Sequence, residues 1–209
     1  MKNLLLSICL IALTVPTLRA QSTDEIISNK KEKKTAIPMS KGNHFLGLNG
    51  AGGFGGGVFG RHNIWTATGQ GGYFIANKLL VGAQLSYGEH NRHPGEATGT
   101  LLGNPILSYR IVNVNPELFA RYYFTSGKVK PFVQASTGWN FTSGRQSEMS
   151  GLTTRINENS FTARAALGIS FKLGKRANID LMYNRSLLGR PRLGDYNGFR
   201  LGATFLIGK

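Results

Sequence analysis

From Phe161 to Leu173 the chain reads F-T-A-R-A-A-L-G-I-S-F-K-L, and every second residue counted from Phe161 is apolar. The residues between them, Thr162, Arg164, Ala166, Gly168, Ser170 and Lys172, are polar, charged or small. Successive side chains leave a strand on opposite sides, so a period of two describes a strand with one apolar face. Ordinary strands run about 5–6 residues, and this one is about twice that length. At about 3.3 Å per residue and a tilt near 40° it spans about 33 Å, close to the hydrocarbon thickness of a bilayer. Arg164 and Lys172 exclude apolar packing on both faces.

The same alternation recurs along the chain. Strand-like segments cover about 44–57, 64–75, 79–88, 113–124, 129–142 and 161–173. A seventh runs through Ile179, Leu181 and Tyr183, and an eighth through Phe199, Leu201, Ala203, Phe205 and Ile207. Pro116 lacks a ladder donor and predicts a bulge or strand end. Short turns are expected at Asn77-Lys78, Ser126-Gly127-Lys128 and 174–178, and long loops at 89–112, 143–157 and 186–196. An even number of antiparallel strands, with short turns on one side and long loops on the other, predicts an all-β fold: an eight-stranded antiparallel transmembrane up-and-down β-barrel. Gly50-x-Gly52-x-x-Gly55 formally matches a dinucleotide fingerprint, but a strand rather than a helix follows it, so the match is accidental.

Periodicity alone also fits a soluble barrel of lipocalin or avidin type, with the apolar face inside. The charges favour the inverted arrangement. Glu117, Arg121, Arg164, Asp180 and Arg200 fall mid-strand on the polar faces, and the apolar faces carry none. A lipid-facing arginine near the midplane would cost about 2–4 kcal/mol. Aromatic residues such as Trp65, Tyr73, Tyr87, Tyr122, Trp139, Phe161 and Phe171 lie near the segment ends, as interfacial girdles require.

Lys2, the apolar run Leu4–Val15 and Leu18-Arg19-Ala20 predict a cleaved signal peptide over 1–20. Residues 21–42 lack periodicity and read as a flexible periplasmic segment, with the barrel at 43–209. The only cysteine, Cys9, lies in the signal. Export and an outer-membrane location follow. The formal charge of +15 points to anionic lipid heads. No finger or aromatic nucleic-acid motif accompanies it, so nucleic acid is not an expected partner.

Gly-Tyr-Phe-Ile, Leu-Leu-Val-Gly-Ala-Gln-Leu-Ser-Tyr and Phe-Arg-Leu-Gly-Ala-Thr-Phe carry a resemblance. Over about residues 43–208 the chain resembles the small outer-membrane β-barrels of the OmpA/OmpX type, within the porin-like barrel family. The resemblance implies a Gram-negative envelope protein inserted by the barrel-assembly machinery, which reads a terminal aromatic residue. Here the last aromatic is Phe205, and Leu-Ile-Gly-Lys follows it, a departure from that pattern.

An eight-stranded barrel is just wide enough for its side chains to fill. Glu117, Arg121, Arg164, Asp180 and Arg200 are therefore expected to form a lumen ion-pair network that closes a non-catalytic, monomeric barrel with an envelope-structural or loop-display role. The alternatives are a narrow, anion-preferring channel and a lipid-modifying enzyme. The enzyme needs a histidine beside a serine or carboxylate. His44, His62, His90 and His93 all lie in the N-terminal half, away from the late strands. His90-x-x-His93 with Glu89 and Glu96 is at best a loose metal set, so no metal or cofactor is expected. Arg61, Arg92, Arg145, Arg155, Arg190 and Arg192 fall in the expected loops, and Arg190, Arg192, Arg145 and Arg155 are the candidate contacts with an anionic surface. The expected partners are outer-membrane lipids and lipopolysaccharide.

Overall fold

A computed structural model describes residues 39–57, 60–94, 106–148, 151–188 and 198–208. The expected signal peptide, most of the N-terminal segment, Glu96, Arg190 and Arg192 lie outside the described residues. Eight strands follow one another: β1 (His44–Gly57), β2 (Gly60–Ala76), β3 (Leu79–Pro94), β4 (Ile106–Tyr123), β5 (Val129–Glu148), β6 (Thr153–Lys172), β7 (Ala177–Leu188) and β8 (Gly198–Ile207). Each pairs antiparallel with its neighbour, and β1 pairs with β8, so the sheet closes into a barrel with no free edge through its waist.

Alternation sorts the side chains as the charges require. Leu48, Leu85, Leu118, Leu167, Leu201 and Phe199 stand exposed on the outer wall, while Thr68, Gln84, Asn113, Arg121, Asp180 and Thr204 are buried inside. Outward aromatics form two belts. Tyr122 packs on Phe124 near the short turns, whereas Trp65 packs on Tyr87, Trp139 on Phe161 and Tyr183 on Phe199 towards the other end. On β2, Tyr73 and Trp65 are separated by about 21 Å along the barrel axis, near the height of a lipid-facing band.

The strands run further than the alternation predicts. The expected loop 143–157 is largely a β5–β6 hairpin, paired as far as Ser147↔Thr153. β3 and β4 likewise pair through Arg92↔Tyr109, inside the expected loop 89–112. Beyond the bilayer both faces of a strand meet water, so ladder pairing continues after the apolar alternation that signals it has stopped. The expected break at Pro116 takes a mild form. The β4–β5 ladder skips from Val114↔Phe141 to Glu117↔Gly138 without a register shift. The bulges lie elsewhere, at Phe74/Ala76, Ile106/Ser108 and Ala163/Arg164.

At the short-turn end, Lys78 turns β2 into β3 with a φ of 67°. The backbone before β1 docks there too. Lys78 N–H donates to the Met39 carbonyl at 2.7 Å, and Gly42 N–H to that of Phe74 at 3.0 Å. Met39–Asn43 is thus held against the barrel, although it carries no strand period.

Candidate functional site

The lumen is stacked in tiers. At the short-turn end Met39, Phe45, Phe74, Leu80, Phe119, Tyr123, Phe132, Met182 and Leu206 form one buried cluster. Apart from Met39, which precedes β1, they occupy the inward parity of their strands, and on β4, β5 and β7 the buried Arg121, Lys130 and Asp180 lie nearer the short turn than Phe119, Phe132 and Met182. The Phe132 ring lies against Gly168: a Cβ at Gly168 would overlap the ring and come within 2.8 Å of the Leu181 carbonyl. Alternation assigns these residues to the inner face, yet only closure of the barrel shows that they meet one another as an apolar floor.

Arg121 rests on that floor. Its guanidinium carbon sits 4.3 Å from the Phe132 ring centre and 5.1 Å from that of Phe45. Nη1 pairs with Asp180 Oδ2 at 2.8 Å and donates to the Tyr123 hydroxyl at 3.2 Å. Nε donates to Gln134 Oε1 at 2.8 Å and Nη2 to Gln70 Oε1 at 3.0 Å. Arg121 and Asp180 are both 0% exposed. Two aromatic faces, one carboxylate and three neutral acceptors therefore replace the water this cation has lost.

One tier higher, Glu117 collects three hydrogen-bond donors and a cation. Arg164 Nη1 reaches Oε1 at 2.9 Å and Thr162 Oγ1 reaches the same oxygen at 3.3 Å. Ser136 Oγ donates to Oε2 at 3.2 Å, and Gln84 Nε2 donates to it as well. Gln84 Oε1 in turn accepts from Gln70 Nε2 at 2.6 Å and Gln134 Nε2 at 3.2 Å. Three glutamines thus join the Glu117–Arg164 pair to the Arg121–Asp180 pair. On the Asp180 side, Asn178 donates to Thr204 at 3.3 Å and accepts from Lys130 Nζ at 2.7 Å. With its amide oriented to satisfy both ends, Asn115 accepts from Arg164 Nη2 at 3.1 Å and donates to Asn140.

Of the residues singled out from sequence, Glu117, Arg121, Arg164 and Asp180 meet as these ion pairs. Arg200 is buried, and its Nη1 donates to Thr68 at 3.0 Å from across β1. Lys130, Gln70, Gln84, Gln134 and Tyr123 complete the lumen and were not singled out. Alternation gives their inward parity, but their pairing depends on register: Gln70 faces Gln84 and Gln134 faces Arg121 across adjacent strands, while Lys130 reaches Asn178 across an intervening one. Removing the Tyr123 hydroxyl (Tyr123→Phe) takes one donor–acceptor contact from a buried cation and should cost about 1.5 kcal/mol, read as a lower unfolding midpoint in detergent.

Of the loose metal set, His90, His93 and Glu89 lie within the described residues. His90 is buried and bonds the Tyr109 hydroxyl at 3.0 Å, while Glu89, adjacent on the strand, pairs with Arg110 Nε at 2.8 Å. No group of three metal-ligating side chains occurs among the described residues. Arg145 and Arg155 stand exposed on β5 and β6 beyond the upper aromatic belt.

The closed eight-stranded wall with apolar residues outside and buried charges inside is the arrangement of an outer-membrane barrel, and residues 8–205 match the family model described as the outer membrane protein beta-barrel domain. The chain belongs to that family. No curated protein sequence matches it. Among solved structures, the outer membrane protein OprG from Pseudomonas aeruginosa is similar at 14% identity and a TM-score of 0.52, covering 83% of this chain and 100% of that one. The N-terminal β-barrel domain of OprF from the same organism aligns at 14% identity and a TM-score of 0.48, over 80% of this chain and 98% of that one. Ail, the attachment invasion locus protein of Yersinia pestis, aligns at 12% identity and a TM-score of 0.46, over 80% and 99%. At these identities the likeness is one of fold. Barrels of this family in general carry short turns on the periplasmic side and longer connections on the outer side.

Proposed function

We propose that this outer-membrane barrel is a non-catalytic envelope protein, exported by a cleaved signal peptide, whose lumen is closed by its own side chains. Its work lies on the wall and on the surface hairpins rather than in transport. The observation that carries the reading is the stack of Arg121 and Asp180, both water-inaccessible, directly on the apolar floor. A solute would have to break a buried ion pair and displace a packed aromatic cluster to pass, and either step alone costs several kcal/mol.

Planar-bilayer recording of the refolded full chain tests this. The expected result is silence at potentials at which porins conduct steadily. Steady unit conductance would overturn the closed-lumen reading in favour of a narrow channel.

A further inference from the structure

Three arginines stand abreast on the outer wall. The register places Arg110 opposite Arg145 across β4–β5, and Arg145 opposite Arg155 across β5–β6. All three have outward parity, and with Val112, Ser143, Gly144 and Asn157 they line a groove of about 530 Å³. Like charges directly opposite in a sheet destabilise it. Glu89 pairs with Arg110 through Nε at 2.8 Å, and among the described side chains no carboxylate forms an ion pair with Arg145 or Arg155. The row therefore carries an excess of positive charge with polar donors from Ser143 and Asn157 beside it.

Its height matters as much as its charge. On β5 the outward sequence is Trp139, Phe141, Ser143, Arg145, and the ladder with β6 is continuous across this stretch. Arg145 is thus about 10 Å above Phe141 along the barrel axis. The headgroup layer is about 5–8 Å deep on each side of a bilayer, and a long arginine side chain reaches down along the wall to it. Trp139 and Phe161, packed edge to face with ring centres 5.6 Å apart on the same two strands, offer apolar wall directly below for an acyl chain.

We propose that Arg110, Arg145 and Arg155 form a binding site for a phosphorylated glycolipid of the outer leaflet, with the guanidinium groups holding its phosphates and the Trp139–Phe161 wall holding its acyl chains. Planar guanidinium forks bind phosphate oxygens in pairs, and the anion relieves the repulsion within the row. This goes beyond the closed-lumen proposal and is independent of whether the barrel conducts.

The test is native mass spectrometry of the full chain refolded in detergent and titrated with bisphosphorylated lipid A. Arg145→Gln with Arg155→Gln should weaken binding at least tenfold per arginine, with heat-modifiable gel mobility unchanged. Lipid A stripped of both phosphates should bind as weakly as that double variant. Equal binding by the double variant, or by the dephosphorylated lipid, would overturn the proposal. Displacement of lipid A by inorganic phosphate at low millimolar concentration would overturn it too, because the site would then be one for a free anion.

Discussion

Replacing Asp180 by alanine should destabilise the refolded barrel by about 3–5 kcal/mol. Asp180 is the carboxylate paired with Arg121 at 2.8 Å, and both are closed off from water. Without it Arg121 keeps Gln134, Tyr123 and Gln70 as acceptors and the faces of Phe132 and Phe45, but its charge is uncompensated. Most of the loss is that stranded cation rather than the attraction itself. Removing both partners, with Arg121→Met and Asp180→Leu, should therefore restore much of it, because a well-packed apolar pair is often as stable as a buried ion pair. Urea unfolding in detergent micelles reads both effects; at a slope of about 2 kcal/mol per M the single variant shifts the midpoint by about 2 M. An unchanged midpoint for Asp180→Ala would mean that water screens the pair, and the closed-lumen reading would fall with it.

Gly138→Ala should cost about 3 kcal/mol for steric reasons alone. Gly138 lies opposite Glu117 on β4, where the ladder resumes after Pro116. A Cβ there would collide with the Pro116 carbonyl oxygen and sit 2.7 Å from Glu117 Cα. These are backbone atoms of the neighbouring strand, so no rotamer change relieves the overlap and the strands must part. Separation would also pull Glu117 from Ser136 and Thr162, its partners on β5 and β6. The same substitution at Gly127, with nothing within 4 Å of its Cβ, should leave the midpoint unchanged and serves as the control. Equal midpoints for the two variants would show that the close β4–β5 approach does not hold.

How the interior divides into charge and grease shows where sequence reading stops. Phe119 and Tyr123 sit on the inward face of β4 beside Glu117 and Arg121, and on one strand that mixture looks irregular. Across the barrel Phe45, Phe74, Phe132, Met182 and Leu206 join them, and the mixture resolves into one apolar cluster with the buried charges packed against it. The arginine row is a sharper case. Arg110, Arg145 and Arg155 are scattered through segments that resemble solvated loops, because outside the bilayer neither face needs to be apolar and the alternation disappears. Only hairpin pairing brings them abreast.

Within the alternating segments, the sequence by itself determined which way the side chains point and which solvent each face meets. A period of two with charge on only one face leaves a single arrangement in lipid, and the alternation from Phe161 to Leu173 already contains it. Tertiary structure decided height and partnership. These depend on how far each strand is shifted against the next around a closed barrel, a quantity spread over eight ladders and encoded in no single stretch. That stagger sets Arg121 against Asp180 and Arg164 against Glu117, and it lines up three arginines above the aromatic belt.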